Sequence, residues 1–482
     1  MRLSPLLLLP LLACAQSAPL PPPVTPLAPT EDAAFRRSPP PLPEGAGETV
    51  PALGVESARL ANGLTLWVVA QPASSSVAFS FASPRGGRAV ACATGELAGL
   101  SARAVAEAGI LWREGRPVPP PSIFGRSVQA RVAADFARFD LDVLTRAAGQ
   151  GFEVLARTLR APTYAEEALV AVRLAELNAE QARLGRSSIL RYAAGKRAVG
   201  EDASRWLWSR TDAVRRPSRD DIRRCARRFV RPEGAALVAV GATSLVEVQA
   251  WAEELLGGWG VGTAPPEVSP LEASWSSDLR IQHVVQDLGS AQLVALQPAP
   301  RRPSVEEEVH FALLAEVLAG SLVSRLSMRL RRMEGATYGI RPAMIGSAKV
   351  GLLSFELSVE VEDATDVLRA LRAGLERVME EHVRSDELRR AKRRLAVRFA
   401  DRDEAPRSLA AWLGHRFAVG RSSEDITRYA EALAGASEDD LLAVARATLR
   451  PDALHIAVAG PPELERRLRS LGPVDVFTLR RN

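Results

Sequence analysis

Histidine is missing from the first 282 residues. All five histidines, His283, His310, His382, His415 and His455, lie further along, and no two are three or four residues apart. Two histidines one helical turn apart are the common way to hold zinc from one face of a helix. That chemistry is therefore excluded from the first part of the chain, and metal binding by this chain alone is not expected. Cysteine is almost as scarce, with only Cys14, Cys92 and Cys225 in 482 residues, which excludes a disulfide scaffold. Lysine occurs only at Lys196, Lys349 and Lys392; the rest of the 62 basic residues are arginine. These interleave with 57 acidic residues for a net charge of +5, so the charge reads as a solvated surface and no nucleic-acid partner is expected. No Gly-x-Ser-x-Gly elbow stands near a suitable histidine, which argues against a serine hydrolase.

What remains is 47% apolar and 25% charged, the composition of a globular protein, and long enough for more than one core. The N-terminus reads as a processing segment over residues 1–13. Arg2 supplies the positive end and Leu3 to Leu12 an apolar run too short to span a bilayer. Leu11-Leu12-Ala13-Cys14 has the form of a bacterial lipobox, which makes Cys14 the expected lipidation site and the membrane an expected partner through that anchor. Residues 14–51, with Pro21 to Pro23 and Pro39 to Pro43, read as a semi-rigid tether. The expected location is the bacterial cell envelope, facing the periplasm. Ala15 after the cysteine, where an aspartate would retain the protein at the inner membrane, favours the outer one. Cys92 and Cys225 either pair in that oxidising compartment or remain two buried thiols, and buried thiols are the expectation.

An internal duplication organises the rest. Ser218-Arg-Asp-Asp-Ile, Arg231-Pro232 and Ala236-Leu-Val-Ala-Val-Gly241 recur as Ser437-Glu-Asp-Asp-Leu, Arg450-Pro451 and His455-Ile-Ala-Val-Ala-Gly460, all at one interval (437 − 218 = 219). In each copy a serine caps a helix, and an aspartate three residues on stands in for the glutamate of a capping box. Arg-Pro ends the helix, an apolar run follows as a buried strand, and glycine turns the chain. Leu155 to Leu159 and Glu166 to Ala179 read as helices, as do Val367 to Met379 and Asp386 to Phe399. Leu64-Leu66-Val68, Val77-Phe79-Phe81 and Leu353-Phe355-Leu357-Val359 alternate as strands. The reading is α+β: two homologous domains, 52–262 and 275–480, each an antiparallel-type sheet with packed helices, joined by a linker over 263–274.

Leu60-Ala-Asn-Gly63-Leu64 in the first domain, and Leu318-Ala-Gly320, Ser324-Arg325-Leu326, Leu330-Arg331, Gly335 and Tyr338 in the second, carry a resemblance. With them the chain resembles the insulinase (pitrilysin) family of zinc metallopeptidases, in particular the non-catalytic subunit of the mitochondrial processing peptidase type. The resemblance implies that Arg331 and Tyr338 enter a partner's active site, the tyrosine donating to the developing oxyanion and the arginine holding substrate backbone, with Ser324 and Arg325 in binding roles. Such a donor is worth about 3 kcal/mol. Leu322, Leu326 and Leu330, four apart, are expected to form the buried stripe of the helix leading to Arg331.

The family's His-x-x-Glu-His is absent. The helix around Glu96 to Glu107 aligns its three chemical positions with Gly99, Ala102 and Arg103, none of which can ligate zinc or act as a base. Glu180 by count, or Glu176 by helix pattern, stands where a third ligand is expected, and each reads as a charged helix face. Arg332 replaces the acid that usually follows the arginine, and Ala336-Thr337 replaces Leu-Ala.

The chain is thus expected to be inactive alone and to bind no cofactor. The expectation is a non-catalytic subunit whose partners are a homologous, zinc-bearing subunit and unfolded peptide substrate. The alternative is a structural or peptide-binding pseudopeptidase with no catalytic partner.

Overall fold

The structure is a computed structural model. It describes residues 50, 53–88, 92, 95–107, 109–111, 117–118, 127–184, 188–201, 203–204, 217–260, 275–277, 279–301, 303–333, 337–347 and 350–478. The leader, Cys14, all of the tether except residue 50, and the linker over 263–274 lie outside the described residues.

Alternating apolar residues build the first sheet. Its strands are β1 (Glu56–Arg59), β2 (Thr65–Ala70), β3 (Ser76–Ser83), β6 (Gln129–Val132), β7 (Ala137–Leu144) and β8 (Ala236–Gly241); β4 (Ile110–Leu111) and β5 (Pro117–Val118) form a separate small pair. The order across the sheet is β1-β2-β8-β3-β7-β6. Neighbours are antiparallel except β2 and β8, which run parallel, with Leu66 beside Leu237. The chain turns from β1 to β2 at Asn62-Gly63. Gly63 adopts a φ of +85°, which a side chain would oppose, and the Asn62 side-chain Oδ1 accepts from Leu64 N–H at 3.2 Å.

With period 2, Leu66 and Val68 face one side of β2, and Trp67 and Val69 the other. Both sets are buried. The first side packs on five helices: α1 (Gly95–Glu107), α2 (Ala148–Arg160), α3 (Glu166–Leu184), α5 (Arg219–Phe229) and α6 (Leu245–Leu256). Phe79, Phe81, Phe139, Phe152 and Phe229 fill this core, with Phe79 and Phe152 edge to face at 5.4 Å. Between α3 and α5 lies α4 (Ser188–Val199).

The second sheet repeats the plan. Its strands are β9 (Ile281–Val285), β10 (Ala291–Pro298), β11 (Thr337–Ser347), β12 (Val350–Val359), β13 (His455–Gly460) and β14 (Val474–Thr478), ordered β11-β12-β10-β13-β9-β14. One face packs on α7 (Val305–Ala319), α8 (Arg325–Arg331), α9 (Ala364–Glu380), α10 (Ser385–Glu404) and α13 (Glu438–Thr448). The remaining helices are α11 (Pro406–Ala418), α12 (Ser423–Gly435) and α14 (Leu464–Leu468). β8 and β13 begin 455 − 236 = 219 residues apart, α3 and α10 also (385 − 166 = 219). Both capping boxes form as the sequence implied, Ser218 with Asp221 and Ser437 with Asp440. The outermost strand differs. In the first sheet it is the leading β1, antiparallel to β2; in the second it is the trailing β14, parallel to β9. Each sheet is therefore mostly antiparallel, with one parallel pair inside the first and two successive parallel pairs at one end of the second.

The two outer faces are covered reciprocally. α4, from the first half, lays Leu190, Ala194 and Ala198 on Val284, Val294, Leu296 and Ala457 of the second sheet. α11, from the second half, lays Leu409, Ala410 and Leu413 on Trp67, Val69, Ala78 and Val240 of the first. The two helices are the same element in each copy, since Leu190 and Leu409 are 409 − 190 = 219 apart. Gly414 lets α11 settle on β3: a Cβ there would stand 2.6 Å from Ser80 Oγ and 3.3 Å from Ala82 Cβ.

Two expectations are corrected. Cys92 and Cys225 are not separate thiols; they form a disulfide with a Cα separation of 5.4 Å, tying the segment before α1 to α5. Packing of α1 on α5 brings the sulfurs together across 133 residues, a proximity that linear spacing does not encode. Leu322 is not part of the buried stripe. α8 starts only at Arg325, with Ser324 as N-cap, and Leu322 sits 59% exposed in the preceding turn while Leu326 and Leu330 are fully buried.

Candidate functional site

α1 presents the positions where the resemblance places zinc chemistry. Its buried side is set by Leu100, Ala104 and Val105, which face the first core. Gly99 is half-buried with open space beyond its Cα, and Ala102 is 1% exposed. Arg103 turns outward and is held by two carboxylates, Glu107 one turn on at 3.2 Å and Glu176 on α3 at 2.7 Å. Burial pushes the Glu107 carboxyl above its ordinary value; Arg103 opposes that shift and Glu176 adds to it. The guanidinium is the counter-charge that lets two acids face each other between α1 and α3. A divalent cation would find no imidazole here and a fixed positive charge in its place, so these residues do not fit zinc. Among the described residues no group of three or more His, Cys, Asp or Glu could hold a metal ion. Of the two candidate third ligands, Glu176 is the one engaged by Arg103; the side chain of Glu180 lies outside the described residues.

The equivalent helix pair in the second half carries the same ion pair with its signs reversed. Glu316 on α7 is buried and meets Arg394 at 3.2 Å and Arg398, both on α10. Burial raises the Glu316 carboxyl above its ordinary value, against the pull of the two arginines.

The histidines are dispersed. His283 and His455 are fully buried in strands and meet the carbonyl oxygens of Gly460 at 3.3 Å and Ser276 at 3.0 Å. His382 follows α9 and meets Asp439 at 2.8 Å, and His310 lies 4.0 Å from Asp440. His415 on α11 packs edge-on against Phe136 at 4.8 Å, and burial pulls its pKa down to about 4.

The other candidates cluster around α8. Ser324 is buried. Its hydroxyl donates to Ser321 O at 2.5 Å and lies 3.1 Å from Ser327 Oγ, so it shapes the turn into the helix. Arg325 spans to the next helix connection. Its Nη2 donates to Glu387 Oε2 at 2.8 Å and to His382 O at 3.0 Å, while Nε donates to Glu387 Oε1 at 3.1 Å. Both residues brace the element that carries Arg331. Arg331 is the last residue of α8 and is exposed. Tyr338 is the second residue of β11; its side chain, and the turn at Glu334-Gly335, lie outside the described residues. The backbone around it is bulged, because Thr337 pairs with Val359 but Ile340 pairs with Leu357. One extra residue in an edge strand re-aims the side chains beside it.

Sequence reasoning missed the Arg103–Glu176 pair. The signal was available, because Arg103 and Glu107 are four apart on one helix face, but the partner on α3 is fixed only by packing.

Fold and site together define a duplicated α+β protein whose helix α1 carries an arginine ion pair where the resemblance places zinc chemistry. Residues 217–395 match the family model described as the Peptidase M16 inactive domain. Over that stretch the chain is similar to the inactive domain of M16 peptidases. Solved structures share its fold. A protease from Helicobacter pylori superposes with a TM-score of 0.74 at 15% identity, covering 85% of this chain and 100% of that one. A peptidase M16 inactive domain from Pseudomonas fluorescens gives 0.73 at 17% identity, covering 85% and 98%. The first half of the periplasmic protease PqqL from Escherichia coli gives 0.64 at 16% identity, covering 87% and 94%. No curated protein matches the chain.

Proposed function

We propose that this chain is the non-catalytic partner in a two-chain zinc endopeptidase, and that it supplies Arg331 and Tyr338 to an active site whose metal belongs to a homologous subunit. The observation that carries this reading is the contrast between its two helix ends. At α1 the chemical positions are occupied by a cation locked between Glu107 and Glu176. At α8 the helix is braced by Arg325 and ends on an exposed Arg331, beside a bulged strand that bears Tyr338. One site is closed as chemistry; the other presents an open guanidinium on a rigid support.

The substrate in this reading is an unfolded peptide. The arginine fork holds its backbone carbonyl oxygens, and the tyrosine hydroxyl donates to the oxygen that gains charge as the peptide bond is attacked. Lipidation at Cys14 would place the protein on the periplasmic side of the cell envelope, with the outer membrane favoured. The Cys92–Cys225 bridge supports an oxidising compartment, and a fold neighbour is a periplasmic protease. Among the described residues no helix is long and apolar enough to cross a membrane.

The test is to purify the chain with a homologue that carries an intact His-x-x-Glu-His and measure cleavage of unfolded peptides. The pair should associate and outperform the homologue alone. Tyr338→Phe should lower kcat about a hundredfold and leave peptide affinity nearly unchanged. Absence of association, or full activity with Tyr338→Phe and Arg331→Ala, sinks the reading and leaves a peptide-binding pseudopeptidase without a catalytic partner.

A further inference from the structure

A cleft of about 830 Å³ lies on the second half, walled by α8, α9 and the start of α10. It is separate from the Arg331 side chain, which does not line it. Six arginines do: Arg325, Arg329 and Arg332 from α8 and its C-cap, Arg377 from α9, and Arg384 and Arg390 at the start of α10. Three acids answer them, so the lining carries an excess of 6 − 3 = 3 positive charges.

The acids are already committed. Glu387 is gripped by Arg325 at 2.8 Å, Asp386 is shared by Arg384 at 3.0 Å and Arg390 at 2.6 Å, and Glu381 lies 3.7 Å from Arg377. Arg384 and Arg390 hold the Asp386 carboxyl below the ordinary carboxylate range, so it stays ionised and occupied. Arg329 and Arg332 have no acidic partner among the described residues. Nη1 of Arg325, buried in the wall, has no acceptor. The positive charge therefore outlasts all internal pairing.

Apart from His382, which meets Asp439 at 2.8 Å, the rest of the lining is apolar, and on one side it is exposed. Leu326 and Gly374 are packed so closely that a Cβ at Gly374 would stand 2.4 Å from Leu326 Cδ2. Along the rim, Val323 is 55% exposed and Met328 37%, with Leu322 beside them at 59%. Large apolar side chains left in water next to unpaired arginines have the chemistry of a protein interface, where methionine and arginine are enriched and lysine is depleted. Every cation here is an arginine, the side chain whose planar fork matches a carboxylate.

We propose that this cleft docks an acidic segment of a partner polypeptide, with carboxylates on Arg329 and Arg332 and an apolar side chain against Val323 and Met328. The volume favours a peptide segment over a single small anion: it is near the upper end of the range for pockets that enclose whole drug-sized ligands, about 300–1,000 Å³. A simple anion would also leave Leu322, Val323 and Met328 in water. The site makes no use of zinc, of Arg331 or of Tyr338, so it stands or falls independently of the catalytic reading.

The experiment uses the full chain and a fluorescein-labelled peptide of about ten residues that combines Glu and Asp with one Leu and one Phe, followed by anisotropy at low salt. Saturable binding is expected, weakening steeply as salt screens the contacts. Arg329→Glu with Arg332→Glu, at a half-buried and an exposed position, should lose at least about tenfold in affinity with the fold intact by circular dichroism. The same peptide with its Leu and Phe changed to Ser should bind several-fold more weakly, and its Lys/Arg counterpart should not bind. The proposal is overturned if the acidic peptide fails to bind at about 1 mM, if the double variant binds it equally well, or if the basic peptide binds alike. It is likewise overturned if vesicles of anionic phospholipid, in place of the peptide, are the ligand that the double variant loses.

Discussion

Replacing Arg103 with methionine tests whether a guanidinium does in this fold the work of a cation between α1 and α3. The substitution keeps the apolar stem and removes the charge that Glu107 and Glu176 share. The Arg103 and Glu176 side chains are 32% and 19% exposed. The interaction therefore lies between an exposed pair, worth about 1 kcal/mol or less, and a buried one, whose breaking costs about 3–5 kcal/mol. A loss of about 1–2 kcal/mol at pH 7.5 follows. The pH dependence is the sharper signature. The Glu107 carboxyl is already above its ordinary value, and losing Arg103 raises it further. A group whose pKa is raised on folding binds more protons when folded, so stability falls as pH rises between its unfolded and folded pKa values. The deficit of the variant relative to the parent is then largest at neutral pH and smaller at pH 4.5, where more of Glu107 is protonated. Denaturant midpoints of parent, Arg103→Met and Arg103→Lys at both pH values measure this, and the lysine variant should recover part of the loss. A deficit of equal size at both pH values, or none at either, refutes the reasoning.

The remaining expectations use the same fold. Loop closure across the 133 residues between Cys92 and Cys225 gives about 5 kcal/mol, at the top of the usual range. Reduction, or Cys92→Ala with Cys225→Ala, should therefore lower the denaturation midpoint sharply, and alkylation of unreduced protein should find neither thiol. His415, held neutral by burial with a pKa of about 4 against an ordinary 6.5, ionises only on unfolding. The unfolded chain then binds more protons between these values, and stability drops by about 2–3 kcal/mol as pH falls from 6.5 to 4. An NMR titration of the imidazole and a flatter pH profile in His415→Gln check this. Leu413→Ala on α11 should cost about 2–5 kcal/mol through the cavity it leaves. By hydrogen exchange the loss of protection should fall on β3 and β8, in the opposite half of the sequence.

Much of the architecture was legible because it rests on local rules. Period-2 alternation marked β2, β3 and β12. Serine and aspartate three apart marked the starts of α5 and α13, and a fixed interval marked the duplication. The helix that carries Gly99, Ala102 and Arg103 was legible from its own apolar spacing. What was not legible depends on contacts between distant elements. α4 and α11 read as ordinary apolar helices, and nothing in their sequences says which sheet they cover. The bridge from Cys92 to Cys225 needs α1 against α5. Leu322 misled because its four-residue spacing to Leu326 fits a helix, whereas the chain turns at Gly320 to Ser324 and starts α8 one turn later.

The reciprocal covering by α4 and α11 bears on the ancestry of this chain. A single copy of the repeat would leave one face of its sheet bare and hold out a helix that suits no surface of its own. In this chain the two copies exchange that helix, each covering the other's sheet, as the protomers of a swapped homodimer do. Joined in one polypeptide, the two copies need not be alike: the first places arginine on its inner helix against a glutamate, the second a glutamate against arginines, and one chain carries both signs of a contact that a homodimer would have to make twice alike.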